Sequence, residues 1–327
     1  MAQFLRTNKP FSARTADPHA RGAQAVPREK GGRREWLTGY LFISPWIIRF
    51  VIFTLGPFLA SLVLSFTEWD LIGSPQFIGG ENYIQLVQDQ YFWQSLKVTS
   101  IYALGRVPLG IIVGIATALL LNQRIKFRGL WRTIYYMPVV LPPVAVSMLW
   151  MWIFNPQFGI INSVLWTAFG IQGPAWLLDE NWVLPSLMTM AVWGMLGRNM
   201  IIYLSGLQGI APEMYEAAEI DGANSWHKFF SITVPMLTPI IFFNLVMGMM
   251  DSFKLFTQAY VMTQGGPRYA SLFYVYYLYQ HAFQRFHMGY ASAMAWVFFL
   301  ILMAFTVLVF RSSKTWVYYE STFGKAG

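Results

Sequence analysis

The chain has 327 residues, of which 56% are hydrophobic, 18% aromatic and only 12% charged, and its formal net charge is +8. This composition is too apolar for a soluble globular domain and places the chain in the membrane class. Because the chain has no cysteine, it has no disulfide framework, no thiolate metal site and no cysteine nucleophile.

The first 35 residues are basic and contain Pro and Gly but no apolar run. They hold eight Lys or Arg, and they bury too little apolar surface to fold. They also have no h-region of a secretory signal peptide. We predict a disordered basic tail over residues 1–35. Nucleic-acid binding is one interpretation of such a tail, and a cytoplasmic leader beside the first span is the favoured one.

Six apolar runs are long enough to cross a bilayer, which takes about 20 helical residues. The predicted spans are Leu37–Phe66, Val98–Leu121, Thr133–Phe154, Val183–Ser205, Val234–Phe256 and Tyr290–Phe310. The third has no charged residue and contains Pro138, Pro142 and Pro143. Two shorter apolar stretches, Gly159–Gly170 and Ser271–Phe283, are predicted to be helices lying at the membrane interface. The chain is therefore expected to be an all-α membrane protein.

The distribution of Lys and Arg predicts that both termini are cytoplasmic. Sixteen of these residues lie in the tail, in residues 123–132, in the loop between spans four and five, and near the C-terminus. Only three lie in the connections on the opposite side. Positive charge accumulates in cytoplasmic loops, so the loop after span four and the end at residues 320–327 are placed inside the cell.

That loop contains the longest polar break between the apolar runs. Pro212 suits the first position of a helix, which needs no N–H, and Glu213 suits the positive end of the helix dipole. Gly222 is placed to end the helix in a left-handed cap. Four residues recur at i, i+3, i+4 and i+7 and so share one face: Met214, Ala217, Ala218 and Asp221. A short helix capped at both ends is predicted.

The segment Glu216–Pro235 resembles the EAA loop of the permeases of binding-protein-dependent ABC importers, with Val234 where leucine is usual. The resemblance implies a type I permease core of six transmembrane helices. In that family the loop, residues 207–233 here, is a cytoplasmic coupling helix that docks on the ATPase subunit. The coupling residues implied are Glu216, Ala217, Ala218, Asp221, Gly222, Ile232 and Pro235. The alternative is an ordinary amphipathic surface loop.

Further motifs resemble the carbohydrate-type branch of that family. They include Gly80-Glu81-Asn82-Tyr83, Arg128-Gly129-Leu130-Trp131-Arg132, Phe154-Asn155-Pro156 and Thr263-Gln264-Gly265-Gly266-Pro267. Val98 departs from the pattern, since relatives often carry Asn there. The resemblance covers residues 36–319, the predicted permease domain. It implies a second permease subunit, two ATPase subunits and an extracytoplasmic solute-binding protein, and it leaves an oligosaccharide, a polyol or glycerol phosphate open as substrate.

Charged residues inside the predicted spans are costly, by roughly 2.5–3.5 kcal/mol each at mid-bilayer, and are candidates for function. Counting from the span ends puts Arg198 and Asp251 at depths that differ by roughly 13 Å, so a direct pair is not favoured unless a span is shifted or broken. Asp251 and Lys254 are i, i+3 neighbours and could pair locally. Arg49 and Arg106 are interpreted as packing or headgroup-facing residues.

The resemblance to maltose-type permeases implies a second role for some of these charges. It places the substrate path on the two spans that flank the coupling loop. The residues implied are Met195, Arg198, Gly248, Asp251, Ser252 and Leu255. Carboxylates and arginine forks suit sugar hydroxyls. Structural pairing and a substrate path both stay open for Asp251.

The sequence contains no Gly-x-x-x-x-Gly-Lys-Ser/Thr phosphate loop, so we expect ATP and Mg²⁺ to bind a partner ATPase rather than this chain. The four histidines have no metal-ligand spacing, and His281 and His287 are predicted to face solvent. The chain is predicted to be no enzyme by itself but the permease subunit of a sugar importer. The alternative is an ion-coupled secondary transporter, for which no clear internal repeat is seen.

Overall fold

The computed structural model of the chain describes residues 33–318, with side chains from Trp36 onward. The predictions for residues 1–32 and 319–327 lie outside the described residues. The chain divides into two compact units, Met1–Pro57 and Phe58–Gly327, and each is described by itself.

The described part of the first unit is helical. Helix α1 covers Arg33–Phe50 and is followed by a π-helical turn, Val51–Leu55. Within α1 the rings of Trp46 and Phe50 stack with centroids 5.5 Å apart. The helical run Trp36–Leu64 is long and apolar enough to cross a membrane, in agreement with the first predicted span.

The second unit is a helical bundle with one small antiparallel strand pair. Strand β1, Thr67–Glu68, pairs with β2, Gln76–Phe77. The helices are α2 (Gly56–Leu64, which begins in the first unit), α3 (Glu81–Gln88), α4 (Gln90–Asn122), α5 (Arg128–Val140), α6 (Pro143–Ile153), α7 (Ile160–Phe169), α8 (Val183–Gln208), α9 (Pro212–Ile220), α10 (Ser225–Lys228), α11 (Val234–Phe253), α12 (Tyr274–Tyr279) and α13 (Met288–Trp316). Three further π-helical turns cover Phe229–Thr233, Ala259–Thr263 and Gln280–Gln284.

The described residues contain five helical runs that could each cross a membrane, and a sixth if α5 and α6 are counted as one span. Helix α4 begins eight residues before the predicted start at Val98. The reason is a cap: the side chain of Asp89 accepts a hydrogen bond from the backbone N–H of Tyr91 at 2.8 Å, which stabilises the first turn. Helix α13 likewise continues past Phe310 to Trp316.

The third predicted span is broken rather than continuous. Helices α5 and α6 meet at an angle of 102°, with Leu141 and Pro142 in extended conformations. The cause is the pair Pro142-Pro143, because a residue before proline is pushed out of the helical region. The sequence analysis noted these prolines but predicted a single span.

Helix α5 of this broken span packs closely on α8, whereas α6 meets α8 mainly through Trp150. A Cβ atom at Gly197 of α8 would lie 2.6 Å from the backbone of Tyr135 in α5. In α6, Trp150 contacts Trp193 of α8 with ring centroids 5.6 Å apart. Phe154, just beyond α6, contacts Trp176 before the start of α8. Counted as one span, the two arms bring the possible spans among the described residues to six, the predicted number.

Helices α4 and α8 form the centre of the bundle. Their close approach depends on small residues: a Cβ atom at Gly114 would lie 2.8 Å from Cβ of Asn199 and 3.0 Å from the ring of Tyr203. The side-chain amide of Asn199 donates to the carbonyl oxygen of Gly110 at 3.1 Å. Small residues allow such packing in lipid, where interhelical hydrogen bonds add to it. The small residues Gly110 and Gly114, four positions apart on α4, therefore serve packing within the subunit.

The segment predicted as an interfacial helix over Ser271–Phe283 is instead part of the core. Helix α12 buries Tyr274, Tyr276 and Tyr277, and the hydroxyl of Tyr274 donates to the carbonyl oxygen of Met294. The prediction that His281 faces solvent is also wrong, since its side chain is 7% exposed. An apolar, aromatic segment of this kind suits the membrane interface, but tyrosine can also be buried in a protein core when its hydroxyl has a hydrogen-bond partner.

Candidate functional site

The predicted coupling helix is α9, and the structure bears out its local geometry. Pro212 occupies the first turn and Gly222 follows the helix with a φ of +78°. The N–H of Ala223 donates to the carbonyl oxygen of Ala218 at 2.8 Å, and that of Gly222 to Glu219 at 3.0 Å. This is the pattern of a C-terminal cap that needs a left-handed residue. The helix therefore has a defined start and a defined end.

Helix α9 is fastened to the segment that enters α11. The hydroxyl groups of Tyr215 and Thr233 lie 3.0 Å apart and are hydrogen-bonded. Lys228 Nζ lies 2.6 Å from the Glu219 carboxylate, and this ion pair lowers the pKa of Glu219 below its ordinary value. Ile232 is half-buried against the bundle, and Pro235 lies in the first turn of α11. Polar and apolar contacts thus join α9 to the segment that enters α11.

Much of α9 is exposed in the part of the chain that the structure describes. Glu216, Ala217 and Asp221 are exposed, and Ala218 is half-buried. Beside them lie three large apolar side chains, Ile220, Trp226 and Phe230, which are 87%, 72% and 61% exposed. An exposed apolar patch with an acidic border is a surface suited to a protein partner.

A cavity of about 500 Å³ lies between the bend of the broken span, α4, α8 and the end of α11. That volume is within the range of sites for small molecules. Its wall includes Pro138, Leu141 and Pro143 from the bend, and Tyr102 and Arg106 from α4. Helix α8 contributes Met195 and Arg198, and the α11 end contributes Asp251, Lys254 and Leu255. Both helices that flank α9 therefore reach this cavity.

Arg198 and Asp251 form an ion pair across the cavity, with Nη2 3.0 Å from Oδ2. The pair that counting from the span ends disfavoured is therefore formed. The contacts of Gly206 with Leu237 and Ile240 put these residues at one level. From there Arg198 lies eight residues along α8, or about 12 Å, and Asp251 eleven residues along α11, or about 17 Å. The remaining 5 Å or so is within reach of an arginine side chain.

The alternative pair between Asp251 and Lys254 is not formed. The three ion pairs among the described residues are Arg198–Asp251, Lys228–Glu219 and Arg268–Glu180. Lys254 is the residue that follows α11, and its exposed side chain lines the cavity. Its ammonium group therefore adds a positive charge there.

Of the six residues implied for a substrate path, four line the cavity: Met195, Arg198, Asp251 and Leu255. Gly248 and Ser252 lie behind its wall. A Cβ atom at Gly248 would lie 3.4 Å from Val107, and Ser252 is fully buried, donating to the carbonyl oxygen of Gly248. On a helix these two positions face α4 while Asp251 and Leu255 face the cavity.

Arg106 lines the cavity although it was not among the residues predicted for the substrate path. It was interpreted as a packing or headgroup-facing residue, but it is 9% exposed, and its Nη1 donates to the hydroxyl of Ser252 at 2.7 Å. Its guanidinium carbon lies 5.9 Å from the centroid of the Tyr102 ring. The signal was an arginine in a membrane span, which marks functional sites by default; what it faces depends on helix rotation.

No group of three or more His, Asp or Glu side chains that could hold a metal ion is present among residues 33–318. The cavity instead collects an ion pair, two further cations and a buried tyrosine hydroxyl. Such groups can orient a polar solute by hydrogen bonds and charge.

Comparison with known proteins gives consistent matches. Residues 107–315 match the sequence profile of the family described as "Binding-protein-dependent transport system inner membrane component". The chain is 43% identical to the probable ABC transporter permease protein YesP of Bacillus subtilis (strain 168), over 92% of this chain and 98% of that protein. It is 34% identical to the lactose transport system permease protein LacF of Rhizobium radiobacter, over 85% of this chain and 94% of that one.

The fold also matches a solved structure. A chain in the crystal structure of a bacterial alginate ABC transporter, in complex with an alginate pentasaccharide-bound periplasmic protein, superposes with a TM-score of 0.75. The identity is 24%, and the match covers 86% of this chain and 94% of that chain. The similarity establishes a common fold of the type I permease.

Proposed function

The chain belongs to the family of binding-protein-dependent transport system inner membrane components, and we propose that it is one permease subunit of an ATP-driven sugar importer. The observation that carries this proposal is the arrangement of α8 and α11. These two helices flank the capped, exposed helix α9 at one end and carry the paired charges of the cavity, Arg198 and Asp251, further along. A partner surface and a solute cavity are thus joined by the same two helices.

The sugar class is supported by the relatives and by the chemistry of the wall. LacF is named for lactose transport, and the solved transporter for alginate. In this chain the cavity offers a carboxylate, two guanidinium groups and an ammonium group, which donate to and accept from hydroxyl groups. Tyr102 and Phe256 add aromatic surface to the same wall.

The proposed assembly contains a second permease subunit, two ATPase subunits and an extracytoplasmic solute-binding protein. We place α9 in the cytoplasm with both termini, because Lys and Arg concentrate on that side of the chain. The exposed face around Glu216 and Ile220 then meets the ATPase, which supplies ATP and Mg²⁺. In this proposal the chain forms half of the translocation path, and ATP is hydrolysed by the partner subunit.

The mechanism follows from how α9 is attached. When ATP binding moves the ATPase subunits, α9 is carried along because its caps keep it a rigid unit. Its contacts with Thr233 and Ile232 pass the motion to α11, and α11 packs on α8 where Leu237 and Ile240 meet Gly206. A shift of α11 against α8 opens the cavity to one side or the other, which is alternating access between two states.

The test is reconstitution of the affinity-purified complex in proteoliposomes. We expect an ATPase to copurify with the chain. Sugar uptake should require ATP on the side of the membrane where the ATPase subunits lie, and vanadate should block it. The Glu216→Lys variant should assemble with less ATPase bound. Uptake that continues without ATP and stops with a proton uncoupler would instead establish an ion-coupled secondary transporter.

A further inference from the structure

The cavity has an excess of positive charge. Arg106, Arg198 and Lys254 all line it, and Asp251 is the carboxylate on the same wall. Asp251 is already paired with Arg198 through Oδ2 at 3.0 Å. Two of the three cations are therefore left without an anionic partner among the described residues.

Arg106 is the cation that is least well compensated. It is nine-tenths buried, and its single hydrogen bond among the described residues goes to the neutral hydroxyl of Ser252. Its Nε is shielded from solvent and has no partner. Burying a charged group is costly unless it is paired with an opposite charge. The protein thus maintains an unpaired guanidinium at the wall of a cavity.

Two neighbouring groups point to the same kind of ligand. The buried hydroxyl of Tyr102, which also lines the cavity, has no hydrogen-bond partner and can donate to an acceptor. The exposed ammonium of Lys254 stands beyond the end of α11, two residues after Ser252. A guanidinium, an ammonium and a hydroxyl are donors that recognise a carboxylate or a phosphate.

We propose that this cavity selects sugars that carry an anionic group, and that Arg106 and Lys254 are the residues that determine this selectivity. The inference rests on the proposed import of sugars through this cavity and specifies the substrate class. The sugar hydroxyls contact the Arg198–Asp251 pair, whose side chains remain 45% and 41% exposed. The anionic group lies toward Arg106 and Lys254 and neutralises the excess charge.

The test uses two matched pairs of probes in ATP-driven uptake by the complete importer in its own cells. Trigalacturonate is compared with its methyl ester, and phosphorylated maltose with maltose. Within each pair the sugar rings are the same, and only one of the two members carries an anionic group. The ratio of charged to neutral uptake is measured for the wild type and for Arg106→Gln, Lys254→Gln and Lys97→Gln. Lys97 is exposed on α4 and does not line the cavity, so it is the control.

We expect one charged probe to be preferred by the wild type, and the ratio to fall about tenfold or more in Lys254→Gln and Arg106→Gln. That corresponds to about 1.4 kcal/mol or more of lost discrimination. The solute-binding protein is the same in every strain, so a change in ratio reports on the permease. The pair with the larger ratio tells whether carboxylate or phosphate is bound. Because Lys254 is exposed, its variant keeps the test valid where Arg106→Gln lowers folded protein.

Two results overturn the inference, and they differ in what they say about import. ATP-driven uptake of the neutral probes with ratios unchanged in both cavity variants leaves the importer intact and removes the anionic selectivity. Absence of ATP-driven uptake for both neutral and charged sugars removes the proposed function and the inference with it.

Discussion

The substitution Asp251→Asn tests whether the Asp251 carboxylate binds substrate in the cavity or serves only to stabilise the fold. The structure pairs Asp251 with Arg198 at 3.0 Å, so the change leaves Arg198 rather than Lys254 without its partner. Each side chain of the pair is more than a third exposed. Solvent therefore still reaches Arg198 after the change. The stability lost is that of a solvent-screened ion pair rather than that of a buried ion pair.

The magnitudes of the two cases are well separated. A solvated ion pair contributes about 0.2–1 kcal/mol, so the amount of folded protein should fall less than about fivefold. Breaking a dry pair would cost about 3–5 kcal/mol and would remove most of the folded protein. Losing a charged hydrogen bond to a sugar costs about 1.5–3 kcal/mol, so uptake at low sugar concentration should fall about tenfold to a hundredfold.

The assay measures membrane abundance and sugar uptake side by side. Asp251→Asn should reduce uptake far more than abundance. The double variant Arg198→Gln with Asp251→Asn should restore abundance to the wild-type level while uptake stays low. The matched double variant Asp251→Asn with Lys254→Gln should restore neither. Full recovery of uptake in that last variant would refute the role of Asp251 in the cavity, since it would make Lys254 the true partner.

Three further predictions follow from other parts of the molecule. Gly222→Val places a β-branched residue at a φ of +78°, which costs roughly 1–2 kcal/mol. Sugar uptake and sugar-stimulated ATP hydrolysis should fall while membrane abundance is retained. Gly222→Asn, which tolerates this φ, should keep both activities, and equal behaviour of the two variants would contradict the role of the cap. Gly114→Ala should lower abundance because its Cβ would lie 2.8 Å from Asn199, at a cost of about 1–3 kcal/mol, whereas Gly129→Ala, with nothing within 4 Å, should not. Burial, together with the charge of Arg285, lowers the pKa of His281 to about 4, whereas the unfolded chain takes up this proton near the ordinary value of 6.5. The stability that neutral His281 contributes is therefore complete above pH 6.5 and is lost as the pH falls to 4. The melting temperature of the wild type should drop over that range more than that of His281→Gln, and parallel curves of melting temperature against pH would contradict this assignment.

Asp89 is a half-buried group whose pKa is decided by opposing effects. Burial raises the pKa of its carboxyl, but hydrogen bonds from the hydroxyls of Tyr277 and Tyr290 lower this pKa by more than burial raises it. The net pKa lies below the ordinary value of 3.8, so the stability that ionised Asp89 contributes is present above pH 3.8 and is lost as the pH falls further. The two residues therefore act in different pH windows, which keeps the His281 measurement interpretable.

The sequence by itself determined the features that depend on neighbouring residues. The apolar runs predicted the membrane-spanning helices because a bilayer requires about 20 apolar residues in a row. Pro212, Glu213 and Gly222 predicted both ends of α9, since caps are set by local backbone conformation. The family could be recognised for the same reason: the loop motif is contiguous.

Only the tertiary structure decided which side chains of distant segments face one another and which face the cavity. The register of α8 against α11, set by Gly206 and Ile240, brought Arg198 to Asp251, and counting residues from span ends could not supply that register. The rotation of α4 turned Arg106 toward Ser252 and the cavity. The 102° bend between α5 and α6 made the cavity wall, and burial of α12 removed His281 from solvent. These outcomes depend on packing between segments far apart in the chain, where a shift of a single residue turns a side chain by about 100° around a helix of 3.6 residues per turn.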